Sequence, residues 1–477
     1  MKYTYQYRLT PTTQQKITLN QWLRICRFWY NRQLGERFDW WECNRSSINA
    51  CLLVCYLREL RDQPNYYSQK KQLPILKKES VKVKWYGEEL DLQQVPSLTL
   101  QEVYQRVDFA FSRFVSGDSK GKRSGKPRFK SGSRFRSLVF EGGGLELHSC
   151  SVGGQYLYLK IPKLSIVKVR MHHYLPDGAI LKQAQFIKKY DGWYVNLRLD
   201  DQTVPKLNPD DIIANWDNSM GLDAVLYQDD YLATSERKKL PSLKSFRKYE
   251  ARLAKVSKRK ANKKKGSKAR RKLAKREGRE HQKIARARKD HAYKNADQLI
   301  RTDKKVFFRE KLNLKGLTQK NKPKQDHMGN YLPNGESGKS GLNKSWLDAA
   351  FGQFFSILEY IAEKSHRPRR GNLGVRTQEA GALVIEVNPA YSSQLLSYRD
   401  EFVFTDCTIR EYWDEFEKVL IDRDINSGIN LKRVGLDEFP TIKRRKSMPV
   451  VVDSTTNYTS KQVLSILRGL EKPPLYA

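Results

Sequence analysis

Three short segments that each carry an acid most constrain what this chain can fold into. They are MGLDAV with Asp223, VFFREKLNL with Glu310, and DRDINSGINLKR with Asp424. The first two read as strands, as does ALVIEVNP, a further and buried one, while the third reads as the start of a helix. Between them Trp346, Ala350, Phe354, Leu358 and Ile361 recur at three and four residues, which predicts a core-facing helix. Strand-helix alternation with acids at strand ends is the pattern of an α/β domain, here with its elements separated by long insertions. The run MGLDAVLYQDDYLATS has two apolar stretches flanking Asp229 and Asp230, and so predicts a hairpin with Asp223 in its first strand.

The remainder of the chain has a different texture. Tyr3, Tyr5, Tyr7 and Leu9 alternate with period two, the signature of a strand. Thr12 and Gln15 then form a capping box ahead of Ile17, Trp22, Cys26, Trp29 and Tyr30, which share one helical face. A helical packing region is expected to follow to about Phe114. The strand YLYLKIP and the hairpin QFIKKYDGWYVNLRL, with Asp191 and Gly192 as its two-residue turn, fit a small antiparallel barrel that the first strand rejoins. The polar segment DDQTVPKLNPDD marks a domain boundary near Ile212, and TQKNKPKQDHMGNYLPNGESGKSG is expected to be a mobile loop.

Charge narrows the class of partner. The 477 residues carry 90 Lys and Arg against 52 Asp and Glu, a formal net charge of +38, and this self-repulsion is relieved best by a polyanion. Residues 120–136, GKRSGKPRFKSGSRFR with its preceding lysine, combine loop composition with Lys120, Lys122, Arg123, Lys126, Arg128, Lys130 and Arg134 as candidate phosphate contacts. Phe129 and Phe135 are interleaved there for stacking. Residues 255–294 predict a long cationic helix, with Arg270, Arg271, Lys272, Lys283 and Arg288 as further candidate contacts. The opening MKYTYQYRLT has neither an apolar span nor a lipidation signal, so a cytosolic protein is expected. Cys26, Cys43, Cys51, Cys55, Cys150 and Cys407 lack paired CxxC spacing and read as reduced thiols, Cys51 and Cys55 as buried helix positions.

The order GLDAV, EKLNLKGL, VNPAYSSQ, DRDINSGIN, behind the N-terminal strand and helix, the GKPRFK loop, the DGWYV hairpin and the RKDHAYK helix, resembles the TnpB family along nearly the whole chain. These are transposon-encoded RNA-guided DNA endonucleases related to type V CRISPR effectors. The resemblance implies a multidomain α+β protein. Its parts would be a wedge β-barrel (1–12 and 115–210), a helical recognition domain (13–114), and a RuvC-like nuclease domain of RNase H fold (211–391 and 420–440). The long basic helix (250–300) lies within the nuclease domain. A target-nucleic-acid-binding insertion (392–419) and a basic C-terminal tail (441–477) complete it.

By position, the resemblance makes Asp223, Glu310 and Asp424 the catalytic acids and the ligands of Mg2+ or Mn2+, and Ser393 and Gln394 nucleic-acid contacts. Three converging carboxylates can hold two divalent ions that activate water and stabilise a leaving oxygen, and oxygen-only ligands suit magnesium. The implied partners are a guide RNA and a double-stranded DNA target. The expected state is a monomeric ribonucleoprotein in the prokaryotic cytosol, associated with the nucleoid. Taken singly, each acid also reads as a solvated strand-end or helix-cap carboxylate.

The chain departs from the family in places. Val225 stands where the family has a second glycine, and Lys311 where an acid usually follows the glutamate. The family's insertion carries two CxxC pairs; here Leu396, Arg399 and Arg410 fill thiolate positions and only Cys407 is kept, so no structural zinc is expected. Two other readings compete: an RNA-guided DNA-binding protein or transcriptional regulator with an impaired RuvC-like site, and a sequence-specific helix-turn-helix protein.

Overall fold

The computed structural model describes residues 2–44, 62–78, 80–83, 88–119, 121–141, 145–148, 155–172, 175, 179–200, 207–302, 304–364, 381–406, 408–445, 448–453 and 460–468. The chain divides into two compact units, Met1–Val204 and Pro205–Ala477.

The first unit contains β1 (Lys2–Leu9), α1 (Thr13–Asn44), α2 (Tyr66–Lys71), α3 (Leu73–Lys78), β2 (Ser80–Val83), β3 (Glu88–Asp91) and α4 (Ser97–Val115). It continues through β4 (Ser137–Glu141), β5 (Glu146–His148), β6 (Tyr156–Ile161), β7 (Ser165–Arg170), β8 (Ile180–Lys189) and β9 (Gly192–Asp200). The capping box forms as read: the Thr12 N–H donates to Gln15 Oε1 at 3.0 Å, and the Gln15 N–H to Thr12 Oγ1 at 3.2 Å. Trp22, Cys26, Trp29 and Tyr30 are buried in the core, Trp29 against Tyr104 of α4 and Trp22 against Phe140, but Ile17 is 54% exposed. Arg37 is buried and tied to Asp108 at 2.8 Å and to Gln69 at 3.1 Å, so a cation helps join α1 to α4 and α2. The region read as all helical also holds the β2–β3 hairpin. Cys51 and Cys55 lie outside the described residues.

β1 does rejoin the later strands, pairing antiparallel with β9 from Lys2 opposite Asp200 to Leu9 opposite Trp193. The sheet order is β4-β8-β9-β1-β7-β6-β5. Among the described residues it is open, which corrects the expected barrel: β4 pairs with β8, the three-residue β5 pairs with β6, and no ladder joins these edges. The β8–β9 turn also shifts by one residue. Lys189 pairs with Gly192, so the turn residues are Tyr190 and Asp191, and Gly192 opens β9 at φ 150°, a conformation costly for other residues.

The second unit begins its regular structure with β10 (Ser219–Ala224), β11 (Asp230–Thr234), β12 (Lys239–Pro241), α5 (Ser245–Ala261), α6 (Lys268–Ile300) and β13 (Val306–Glu310). There follow α7 (Leu314–Leu317), β14 (Lys324–Gln325), β15 (Tyr331–Leu332), α8 (Glu336–Ala349), α9 (Phe351–Lys364) and β16 (Leu383–Val387). The last elements are β17 (Glu411–Asp414), β18 (Val419–Asp422), α10 (Arg423–Gly435), β19 (Thr441–Arg445), β20 (Met448–Asp453) and α11 (Ser460–Leu467). The central sheet has the order β12-β11-β10-β13-β16, with β10, β13 and β16 parallel and β11 and β12 antiparallel. Successive strand residues feed opposite layers, as a period of two requires. Phe307 packs with Leu299, Phe354 and Leu358 of α6 and α9, whereas Phe308 packs with Leu431 of α10. Each such buried phenylalanine contributes about 1.5–3 kcal/mol.

Four expectations change here. The basic segment is not one helix but two packed against each other, α5 and α6, because Gly266 at φ 83° turns the chain and Ser267 caps the second helix. The expected mobile loop contains the β14–β15 hairpin, tightened by the Asp326 carboxylate accepting from the N–H groups of Met328 and Asn330. The apolar helix is split at Ala350, which sits at φ 54° between α8 and α9. β16 is not wholly buried, since Ile385 is 40% exposed. Among the described residues no helix is long and apolar enough to cross a membrane.

Candidate active site

β10 and β13 run parallel with Leu222 opposite Arg309, so the next residue of each, Asp223 and Glu310, emerge side by side. Glu310 Oε1 accepts the Ala224 N–H at 3.0 Å. Asp424 arrives from α10, which crosses β10 at very close range. A Cβ on Gly221 would stand 1.9 Å from the Gly428 carbonyl oxygen and 2.8 Å from the Lys432 nitrogen. Only a glycine there lets helix and strand touch backbone to backbone.

The cap of α10 distinguishes Asp422 from Asp424. Asp422 is the N-cap, its Oδ1 accepting from the N–H groups of Asp424 at 2.9 Å and Ile425 at 3.1 Å. Asp424 is thereby left for the site, buried and close enough for its charge to act on Asp223. One turn further, Ser427 hydrogen-bonds the Asp223 carboxylate. All three acids are shifted upward. Burial raises the pKa of Asp223 well above the ordinary aspartate range, and the charges of Glu310 and Asp424 raise it further. Burial pushes Glu310 up to about 7, partly offset by the Ala224 N–H. Asp424 is raised by burial while Lys239 and Arg410 pull it back.

Those two cations were not read from the sequence as part of a site. Lys239 reaches Asp424 at 3.3 Å, Asp422 at 2.7 Å and Asp230 at 3.1 Å. Arg410 reaches Asp424 at 3.3 Å and lies 4.2 Å from the centre of the Tyr227 ring. Arg410 had a signal, since the resemblance puts it at a thiolate position; Lys239 had none. Among the described residues no group of three or more His, Cys, Asp or Glu gathers in a metal-holding arrangement. The donors are nonetheless oxygen only, and their mutual repulsion is what a hard cation would relieve. Val225 is buried and Lys311 exposed.

Glu310 gives a pH prediction. Its folded pKa of about 7 exceeds its ordinary 4.5, so the stability it contributes is complete below 4.5 and is lost as pH rises through about 7. Wild-type protein melted in EDTA should lose stability between about pH 5 and pH 8, and Glu310→Gln should lose less over that interval. Equal slopes for the two would show that Glu310 is not held in a perturbing environment.

The candidate nucleic-acid contacts divide by what they touch. Lys122, Arg123, Arg128 and Arg134 are exposed, and Lys120 lies outside the described residues. Lys126 pairs with Glu42 at 2.8 Å and sits 4.6 Å from the Phe38 ring centre; Lys130 sits 5.5 Å from that of Tyr30. Arg271 and Lys272 are exposed, as is Lys283, which lies 3.8 Å from Glu280. Arg270 donates to the carbonyls of Lys260, Ala261 and Lys263, closing the end of α5. Arg288 pairs with Asp348 at 3.0 Å, tying α6 to α8. Ser393 and Gln394 are half-buried.

In residues 392–419 packing occupies the positions where thiolates would stand. Leu396 is fully buried with Tyr398, Phe404, Val419 and Ile421. Arg399 pairs with Asp414 at 3.2 Å, and that buried carboxylate also accepts from the Tyr398 hydroxyl and from the N–H groups of Phe416 and Glu417. Burial alone would raise Asp414, but these donors outweigh it and hold its pKa below the usual range. Cys407 lies outside the described residues. Asp414→Ala should therefore cost about 3 kcal/mol in urea melts, by leaving buried donors unpaired. EDTA should leave the wild-type melt unchanged. Stoichiometric zinc in protein purified without added metal would overturn this account.

The fold and site define a two-unit α/β protein whose second unit gathers acids from three distant segments on a mixed sheet. A family model described as "Helix-turn-helix domain" matches residues 1–46. The matched segment here is strand β1 followed by the unbroken helix α1, not two helices and a turn. A Streptomyces pristinaespiralis protein named "Putative RNA-guided DNA endonuclease" is 26% identical over 76% of this chain and 74% of its own. The Escherichia coli K12 protein "Putative RNA-guided DNA endonuclease InsQ" is 22% identical over 83% of this chain and 82% of its own. Among solved structures, a Cas12f1-sgRNA-target DNA complex aligns over 91% of this chain and 99% of its own at 11% identity, with a TM-score of 0.29, too low to carry an argument. Over most of its length the chain is thus similar to two proteins named as RNA-guided DNA endonucleases.

Proposed function

We propose that this chain is an RNA-guided DNA endonuclease whose second unit is a RuvC-like nuclease domain. The observation that carries the reading is the convergence of Asp223, Glu310 and Asp424 at the ends of β10 and β13 and the start of α10, close enough that the charges of Glu310 and Asp424 raise the pKa of Asp223. The connectivity of the central sheet, a hairpin with its edge strand followed by two parallel strands, supports an RNase H fold. The names of the two relatives point the same way.

The three acids would hold magnesium or manganese, which when bound supplies water activation and charge stabilisation in phosphodiester hydrolysis. The chain's own part is orientation. Ser427 and the Ala224 N–H fix Asp223 and Glu310, and Lys239 and Arg410 hold Asp424. A guide RNA would read the target by base pairing, with double-stranded DNA as substrate and the protein itself reading a short adjacent motif. The domain bounds given above, the wedge and recognition roles of the first unit, a monomeric ribonucleoprotein state and a nucleoid-associated cytosolic location belong to the same proposal.

A second reading, an RNA-guided binder that does not cut, is favoured by one feature: Lys239 and Arg410 already neutralise Asp424. Sequencing RNA that co-purifies with the protein, then supplying a matched target with Mg2+ or Mn2+, separates the readings. A single abundant non-coding RNA ending in a variable segment, with cleavage of the matched target, is expected. Binding without cleavage across a magnesium and manganese series would favour the binder; no enriched RNA would sink both.

A further inference from the structure

Lys239 lies on β12 at the edge of the central sheet, opposite Ala233 of β11, and its side chain crosses to the start of α10. Its ammonium contacts three carboxylates, Asp422 at 2.7 Å, Asp230 at 3.1 Å and Asp424 at 3.3 Å, which match its three donors. The three contacts differ in role. Asp422 also caps α10 through its other oxygen, and Asp230 opens β11, so both belong to the frame. Asp424 makes the longest contact and is the one whose charge acts on Asp223. Both of its oxygens are engaged: Oδ2 faces Lys239, and Oδ1 faces Arg410 at 3.3 Å. A carboxylate held on both oxygens meets a divalent ion fully only after one of its cations yields. Lys239 can yield at small cost. Withdrawn from Asp424 it retains its two closer partners, and so is not left as an unpaired, largely buried charge.

We propose that Lys239 competes with the divalent cation for Asp424 and so sets the cation concentration at which the site fills. On loading, the ammonium moves off Asp424 and stays on Asp422 and Asp230. A tie between sheet and helix needs only one of these carboxylates; the contact with Asp424 adds a displaceable positive charge on an acid that the metal site shares. On this account the lysine tunes loading and does not abolish it. The inference deepens the nuclease reading above and rests on its assignment of Asp424 as a metal ligand.

The test uses full-length protein with Mn2+ as the probe, bound ion being measured by equilibrium dialysis. Lys239→Met should tighten Mn2+ binding about tenfold, the worth of one partly buried ion pair, while Lys239→Arg, which keeps the cation, should stay within about twofold of wild type. Adding Asp223→Ala to Lys239→Met should cancel the gain. A gain that survives would mean that the three freed carboxylates bind the ion by themselves, and would overturn the proposal. Because Lys239→Met sets three like charges against each other, the wild-type protein supplies a second measurement that needs no variant. Acylation of Lys239 by an amine-reactive ester, read on its peptide by mass spectrometry, should rise about threefold or more as Mn2+ saturates, since losing a carboxylate and meeting a divalent charge both favour the free amine. Unchanged Mn2+ affinity in Lys239→Met, or flat acylation across saturation, overturns the competition. Failure of the nuclease reading is separable: wild-type and Asp223→Ala protein would then bind Mn2+ alike.

Discussion

Asp223→Ala is expected to abolish DNA cleavage, by at least about a thousandfold, while guide-RNA affinity stays within about twofold of wild type. The asymmetry follows from where the carboxylate sits. Asp223 lies at the end of β10, beside Glu310 and within reach of the Asp424 charge, and it is not among the basic surface residues that would meet phosphate. Removing one negative charge from a chain of net charge +38 scarcely alters its attraction for a polyanion. On the proposed reading, removing one carboxylate from the set that would hold divalent ions removes the chemistry. Cleavage with a matched target, native RNA and magnesium is one readout, and RNA retention on a filter is the other. If Asp223→Ala cuts as well as wild type, these three acids are not the site.

Gly221→Ala should be strongly destabilising. Its Cβ would meet the Gly428 carbonyl oxygen at 1.9 Å and the Lys432 nitrogen at 2.8 Å, both backbone atoms that cannot rotate aside. α10 must then lift from β10, opening the contacts of Leu431 with Phe308 and drawing Asp424 and Ser427 away from Asp223. Overpacking usually costs about 1–3 kcal/mol, and with backbone on both sides about 3 kcal/mol or more is expected here. Gly35→Ala is the contrasting case. It lies within α1 with no atom within 4 Å of an added Cβ, so its higher helix propensity should stabilise by about 0.5–1 kcal/mol. Urea melts of the two variants should move in opposite directions. A Gly221→Ala melt superimposable on wild type would mean that α10 does not press on β10 in solution.

Much of the fold was legible because periodicity is local. The capping box at Thr12, the hairpin that holds Asp223, the strand that ends at Glu310 and the helix begun at Asp422 all follow from spacing within about ten residues. Breaks were read less well. The chain leaves helix at Gly266 and at Ala350, and Ala350 takes a left-handed conformation that its residue type does not announce. The β8–β9 turn slipped by one residue because Asp191 and Gly192 make a good turn pair in isolation, while the ladder pairs Lys189 with Gly192 and places Tyr190 in the turn.

The sequence by itself determined the charge, the strands and helices that carry Asp223, Glu310 and Asp424, and the replacement of thiolate positions by Leu396, Arg399 and Arg410. Only the tertiary structure decided that Asp422 caps α10 while Asp424 does not, that Lys239 and Arg410 pair with Asp424, and that Asp414 gathers donors within residues 392–419. It also decided that Arg270 and Arg288 are spent on carbonyls and on Asp348. The reason is physical: a residue's period names the face it belongs to, but its partner is set by which distant backbone can come close enough, and here that is governed by two glycines, Gly221 and Gly428, where strand and helix meet.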